Sequence, residues 1–183
     1  RFAQNLLVAF VPAAALGFLS GKHIKPALFQ PVPVALAFIG GALAETGNGV
    51  AALPSGDAIV VGQSASSGWI AGGCDTNWTT TRAYAAMISP QGDPVWSTFL
   101  GPASAEANAT TVNPAGAIYV AGSCSGASTN WTANGADVTR NGGTYDAFVM
   151  RLGADGTHHW STFYGGSVVD HGLAIAAPTN GLV

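Results

Sequence analysis

His158-His159 and Asp170-His171 form the densest group of potential metal ligands in the chain. Successive residues of a regular strand point to opposite faces, so His158 and His159 cannot serve one ion from such a strand. The ligand spacing of a zinc site is absent, and no dense run of oxygen ligands points to calcium. Ser64, Ser66 and Ser67 follow Gly62-Gln63, but a nucleophile elbow needs a glycine two residues on either side of its serine, at a strand-to-helix turn. Asn141-Gly142-Gly143 lacks the following helix and lysine of a phosphate loop. Cys74 and Cys124 are the only cysteines. They could pair in an oxidising location, and spacing alone does not fix their distance. Asn77, Asn108 and Asn130 head chance matches to the glycosylation acceptor pattern. His23, between Lys22 and Lys25, reads as a solvated loop histidine rather than a catalytic base. No catalytic, cofactor-binding or metal-binding residue is assigned, and no cofactor is expected.

The elements that would carry these residues repeat. Val50–Gly62 aligns with Thr110–Gly122 at an offset of 60, and Ala83–Ile88 with Ala147–Leu152 at an offset of 64. Trp96-Ser97-Thr98-Phe99 aligns with Trp160-Ser161-Thr162-Phe163 at the second offset, while Trp69, Gly73 and Asp75 align with Trp131, Gly135 and Asp137 at 62. A third copy opens at Asp170. Short β-branched and aromatic runs between Gly, Asn, Asp and Pro predict four strands per unit, at roughly 109–113, 117–123, 147–152 and 158–164 in the second copy. Ala115-Gly116 and Asp155-Gly156 read as tight turns. Four strands at this period match a propeller blade, whose faces need neighbours to bury them. Trp96 and Trp160 are expected to pack between blades. Asp146 and Asp170 are expected to cap turns through backbone N–H groups.

Residues 1–44 are different. Phe2 to Leu19 is apolar apart from Gln4, Asn5 and Pro12, about 18 residues and close to a bilayer-spanning length. Lys22 to Pro26 breaks the run, and a shorter apolar stretch follows from Pro31 to Ala44. A helical hairpin in lipid is expected. The two lysines of its loop favour the cytoplasmic side, leaving the β part extracytoplasmic. The charges divide at the same place. Residues 1–44 carry Arg1, Lys22 and Lys25 and no acid, whereas residues 45–183 carry all nine acids and only Arg82, Arg140 and Arg151. The acidic excess argues against a nucleic-acid partner. Arg1 is not an initiator Met, and the chain stops where a strand should begin, so both ends are expected to be cut.

Two resemblances accompany these patterns. The run Leu6 to Leu19, then Ile24-Lys25, Leu28 to Ala37 and Gly40-Gly41, resembles the middle of bacterial undecaprenyl-diphosphate phosphatase. That resemblance implies a polytopic membrane enzyme releasing phosphate from the lipid carrier of wall synthesis. The Glu-rich segment and the Pro-Gly-x-Ser-Arg-Ser-Gly loop to which the family's catalysis is attributed are not in this sequence. The run Asp146 to Leu152, the turn Ala154-Asp155-Gly156, then Trp160 to Gly166 and Asp170, resembles the SBBP family of bacterial β-propeller repeats. That family implies a seven-bladed ring in secreted or surface proteins. In the first copy Arg82 stands where Asp146 stands, and Gly101-Pro102 replaces Gly165-Gly166.

The expected chain is therefore mainly β. An α-helical transmembrane hairpin (1–44) precedes an incomplete β-propeller of two four-stranded blades and the start of a third (about 45–104, 105–169 and 170–183). The expected role is a non-enzymatic, membrane-tethered extracytoplasmic scaffold or binding module. Its expected partners are membrane lipid through residues 2–44 and an unknown extracytoplasmic ligand or missing blades. The alternative is an undecaprenyl-diphosphate phosphatase, a hydrolase, by the likeness of residues 1–44. An artefact of gene assembly at the join near Glu45 stands as a third reading, because neither family normally contains the other.

Overall fold

The computed structural model describes residues 45–66, 68–77, 79–125 and 131–177. Eight strands alternate with turns and loops: β1 (Glu45–Ala52), β2 (Ala58–Ser64), β3 (Arg82–Ile88), β4 (Pro94–Leu100), β5 (Ala105–Val112), β6 (Ile118–Cys124), β7 (Asp146–Leu152) and β8 (His158–Tyr164). They make two four-stranded antiparallel meanders, β1-β2-β3-β4 and β5-β6-β7-β8. β-branched and aromatic residues are prominent in β2, β4, β6 and β8, as strand packing favours. Tight turns close the hairpins. Gly116 and Gly156 take positive φ of 82° and 80°, which a residue with a Cβ adopts at a cost. Their N–H groups reach back to Asn113 O at 2.9 Å and Gly153 O at 3.0 Å.

The two sheets are registered alike. β1 bulges at Asn48 and β5 at Asn108, 60 residues apart. The β3–β4 ladder slips between Met87 and Ile88 and the β7–β8 ladder between Arg151 and Leu152, 64 residues apart. Strand alternation then sorts the side chains. Ile59, Val61, Ala85, Met87, Trp96 and Leu100 share one core with Ile118, Val120, Phe148, Met150, Leu152 and Phe163. The opposite face of the first sheet forms a smaller cluster of Val60, Tyr84, Ala86 and Ile88 under Trp69 and Ile70. The main core thus lies between the sheets, with the small residues of β5, Ala105 and Ala107, fully buried within it.

The expected incomplete propeller led by an α-helical transmembrane hairpin is not the fold found. The described residues are mainly β, two four-stranded antiparallel sheets, and contain no helix. None of their elements is a helix long and apolar enough to cross a membrane. Residues 1–44, on which the hairpin was expected, lie outside the described residues. The expected start of a third blade is also corrected, because residues 170–177 form no strand. They lie against β6, with Gly172 N–H donating to Gly122 O at 3.2 Å, and no described strand continues a ladder beyond them. A strand is defined by its neighbour, and this segment lacks the run of pairings that would make it one.

Candidate functional site

A cleft of about 480 Å³ opens between the sheets, lined among others by Cys74, Asp75, Arg82, Phe99, Trp131 and His158. Arg82 begins β3 and is only 8% exposed. Its Nη2 meets Asp75 Oδ2 at 2.7 Å and Gly101 O at 2.5 Å, and its Nη1 donates to Asn77 O at 2.7 Å. The guanidinium carbon also lies 5.2 Å from the centre of the Phe99 ring. These partners occupy both terminal nitrogens, so Arg82 holds the 75–82 loop to the end of β4.

His158 opens β8 and is half-buried, with Nε2 shielded and unpartnered. Burial, ahead of the neighbouring His159 charge, holds its imidazole below the usual range, partly opposed by a hydrogen bond with the Trp160 backbone. The Trp131 ring packs edge-on against Phe148 and Phe163, each at 5.3 Å. Its indole N–H has no acceptor. In the first sheet the matching Trp69 donates to Ser64 Oγ at 3.3 Å. Cys124 holds the place of Ser64 in the ladder, and a thiol is a weak acceptor.

Nucleophilic chemistry needs a base within hydrogen-bond reach of the nucleophile. Cys74 Sγ lies 3.4 Å from Thr98 Oγ1, a hydroxyl and not a base. Burial pushes the Cys124 thiol up to about 11, which makes it inert at neutral pH. Neither cysteine forms a disulfide. Among the described residues, a hydroxyl meets an imidazole at Ser123 Oγ and His171 Nδ1, 3.0 Å apart. Sequence reasoning did not bring these two together, because their partnership depends on where the 170–177 segment settles. Ser123 is 1% exposed, so no substrate reaches its hydroxyl, and the pair tethers that segment.

The histidines weighed and set aside as metal ligands in the sequence separate in the structure. His158 lines the cleft, His159 is exposed with its carbonyl accepting from Asn134 Nδ2 at 3.1 Å, and His171 sits over β6. No group of three or more His, Cys, Asp or Glu among the described residues could hold an ion. Asp146 Oδ2 accepts from the Asn141 N–H at 2.8 Å and faces Arg140 Nε at 3.5 Å. Asp170 Oδ2 accepts from the Gly166 N–H at 2.8 Å. Both carboxylates therefore cap backbone. Trp96 is buried between the sheets, donating from Nε1 to Ala154 O at 2.9 Å beneath the Gly156 turn. Trp160 is half-exposed, on the far side of the second sheet.

No family model matches the chain. A short segment of it is similar to undecaprenyl-diphosphatase. The protein of that name from Polynucleobacter necessarius is 63% identical over 43 residues, covering 24% of this chain and 15% of the relative. That from Nitrosospira multiformis is 67% identical over 43 residues, 24% of this chain and 16% of the relative. That from Cupriavidus necator is 39% identical over 85 residues, 43% of this chain and 29% of the relative. The chain thus spans under a third of the length of the curated relatives it matches. Identity falls as the alignment lengthens, so the likeness is concentrated in the shorter stretch. SBBP-type repeats find no support in these comparisons.

Proposed function

We propose that this chain belongs to a bacterial membrane protein of the undecaprenyl-diphosphatase type, whose whole activity is hydrolysis of the lipid-carrier diphosphate. The identity of 60–67% over about 43 residues to proteins of that name carries the reading. On this reading residues 2–44 lie in lipid, consistent with their apolar runs. Lys22 and Lys25 face the cytoplasm and the β module the other side. The comparisons favour this reading over a non-enzymatic scaffold.

Hydrolysis of a diphosphate needs cations on the phosphates and a base or nucleophile beside them. Lys22 and Lys25 are of the first kind. Residues 1–44 hold no carboxylate, so the reading gives them lipid and phosphate positioning and takes the base from elsewhere in the whole protein. In the cleft between the sheets, Arg82 is committed to Asp75, and His158 Nε2 has no hydrogen-bond partner. Membranes from cells producing the whole protein are expected to release phosphate from labelled undecaprenyl diphosphate above a vector control. Release no higher than that control would overturn the proposal.

A further inference from the structure

Asn77-Trp78-Thr79, Asn108-Ala109-Thr110 and Asn130-Trp131-Thr132 each match the acceptor pattern for N-linked glycosylation. The pattern by itself favours none of them. Asp75 and Glu106 stand two residues before Asn77 and Asn108, so local charge does not separate the first two either. The reaction needs two groups free at once: the asparagine amide that takes the sugar, and the hydroxyl two residues on that marks it as an acceptor. The fold distributes those free groups unequally.

In the second match both groups are engaged. Asn108 sits at the bulge of β5, half-buried, and its Nδ2 donates to Gly172 O at 3.0 Å. Thr110 Oγ1 donates to Tyr119 O at 3.1 Å. A glycan bonded to the Asn108 nitrogen has to push aside the segment that carries Gly172. In the third match Asn130 lies outside the described residues, and Thr132 Oγ1 donates to Val138 O at 3.3 Å. The first match is different. Asn77 and Thr79 are both exposed, in the loop between β2 and β3. Neither side chain makes a hydrogen bond among the described residues. The backbone beneath them is nonetheless pinned. Asn77 N–H donates to Asp75 Oδ1 at 2.9 Å, and Asn77 O accepts from Arg82 Nη1 at 2.7 Å. The Asn77 amide is thus left in water by the bonds that fix its own backbone.

We propose that Asn77 is a site of N-linked glycosylation, taking an oligosaccharide from a lipid-linked glycosyl diphosphate. Asn77 Nδ2 forms a bond to the anomeric carbon of the first sugar, and the bond from that carbon to the diphosphate oxygen breaks. The oxygen keeps the electron pair, and the proton lost by the amide passes to a base of the transferase. No oxidant or reductant takes part. The composition gives the modification a physical role. Charged residues make up 8% of the chain, against roughly 25% in an ordinary soluble domain, and a surface glycan is bulky and solubilising. In cells the site rests on the topology of the proposed function, with the β module on the extracytoplasmic side.

The test incubates the full chain, purified in detergent, with a bacterial oligosaccharyltransferase and a lipid-linked oligosaccharide. A known acceptor peptide shares the tube, and peptide mass spectrometry reads the occupancy of each asparagine. Occupancy at Asn77 at least about tenfold above that at Asn108 is expected. Asn77→Gln should abolish the added mass at this loop, and Thr79→Ala should reduce it at least about tenfold. Both variants should keep the melting temperature, because both side chains are exposed and unbonded. The proposal is overturned if Asn77 stays bare while the acceptor peptide is modified, or if Asn108 is occupied equally. The purified chain has no membrane sides, so a negative result there strikes the site and not the topology. A chain modified in the tube yet bare when isolated from cells carrying the transferase supports the site and contradicts the extracytoplasmic placement. None of these readouts depends on phosphate release.

Discussion

Arg82 and Asp146 open equivalent strands and face equivalent partners, Ser64 and Cys124, yet carry opposite charges. Each is matched by a loop residue of the other sign, Asp75 at 2.7 Å and Arg140 at 3.5 Å. The ion pair that ties loop to strand is thus kept while its polarity is inverted. Removing one partner of a buried pair costs about 3–5 kcal/mol because the other charge is stranded. Asp75 is one-third exposed, so Arg82→Ala is expected to cost about 2–3 kcal/mol by urea unfolding; a loss under about 0.5 kcal/mol would show that the loop is held otherwise. His158 sets a pH dependence. Its folded pKa lies below the ordinary value of 6.5 because of burial, so the unfolded chain binds the proton more readily. Its contribution is complete above the ordinary histidine range and is lost as the pH falls through that range. Urea midpoints measured between about pH 7.5 and 5.5 should fall with pH less steeply in His158→Gln than in the parent. Identical slopes would place His158 in water.

At the scale of strands and turns, the tryptophans Trp96 and Trp160 have unequal surroundings despite equal sequence. Trp96 is 5% exposed and bonded to Ala154 O, whereas Trp160 is half-exposed. Trp96→Ala is expected to cost about 3–5 kcal/mol, and Trp160→Ala about 1 kcal/mol. Equal losses in thermal unfolding would mean that both rings are enclosed. The repeat offsets made this layer legible: 60 and 64 residues are the spacings of the bulges and ladder slips. β7 and β8 fall within a residue of their expected bounds, and the Gly116 and Gly156 turns stand where the sequence placed them. β5 begins at Ala105, earlier than expected, because Ala-Glu-Ala-Asn carries no strand propensity and is held by burial against the first sheet. Residues 170–177, where the third copy opens, form no strand, because no described strand lies beside them to pair with. One cross-strand row of the second sheet was hidden for a related reason. Tyr119, Arg151 and Trp160 are 41 residues apart in the chain and meet only through the β6-β7-β8 register.

For the whole molecule, an acidic two-sheet module follows a cationic, apolar segment, and the likeness to undecaprenyl-diphosphatase covers 24% to 43% of the chain. The core between the sheets explains how the module holds together with so few charges: among the described residues, Arg82 and Asp146 are the only buried members of the Asp, Glu, Lys, Arg and His set. If the proposed function holds, lipid-carrier hydrolysis should depend on the first segment and not on the cleft, where Arg82 is committed to Asp75. The direct measurement is kcat/KM for undecaprenyl diphosphate in the whole protein, compared with Lys22→Ala/Lys25→Ala and with His158→Ala. Loss of phosphate-holding charge should reduce the double variant by at least about tenfold, while His158→Ala stays within about twofold of the parent. Abolished turnover in His158→Ala, with the lysine variant unaffected, would contradict this division of labour.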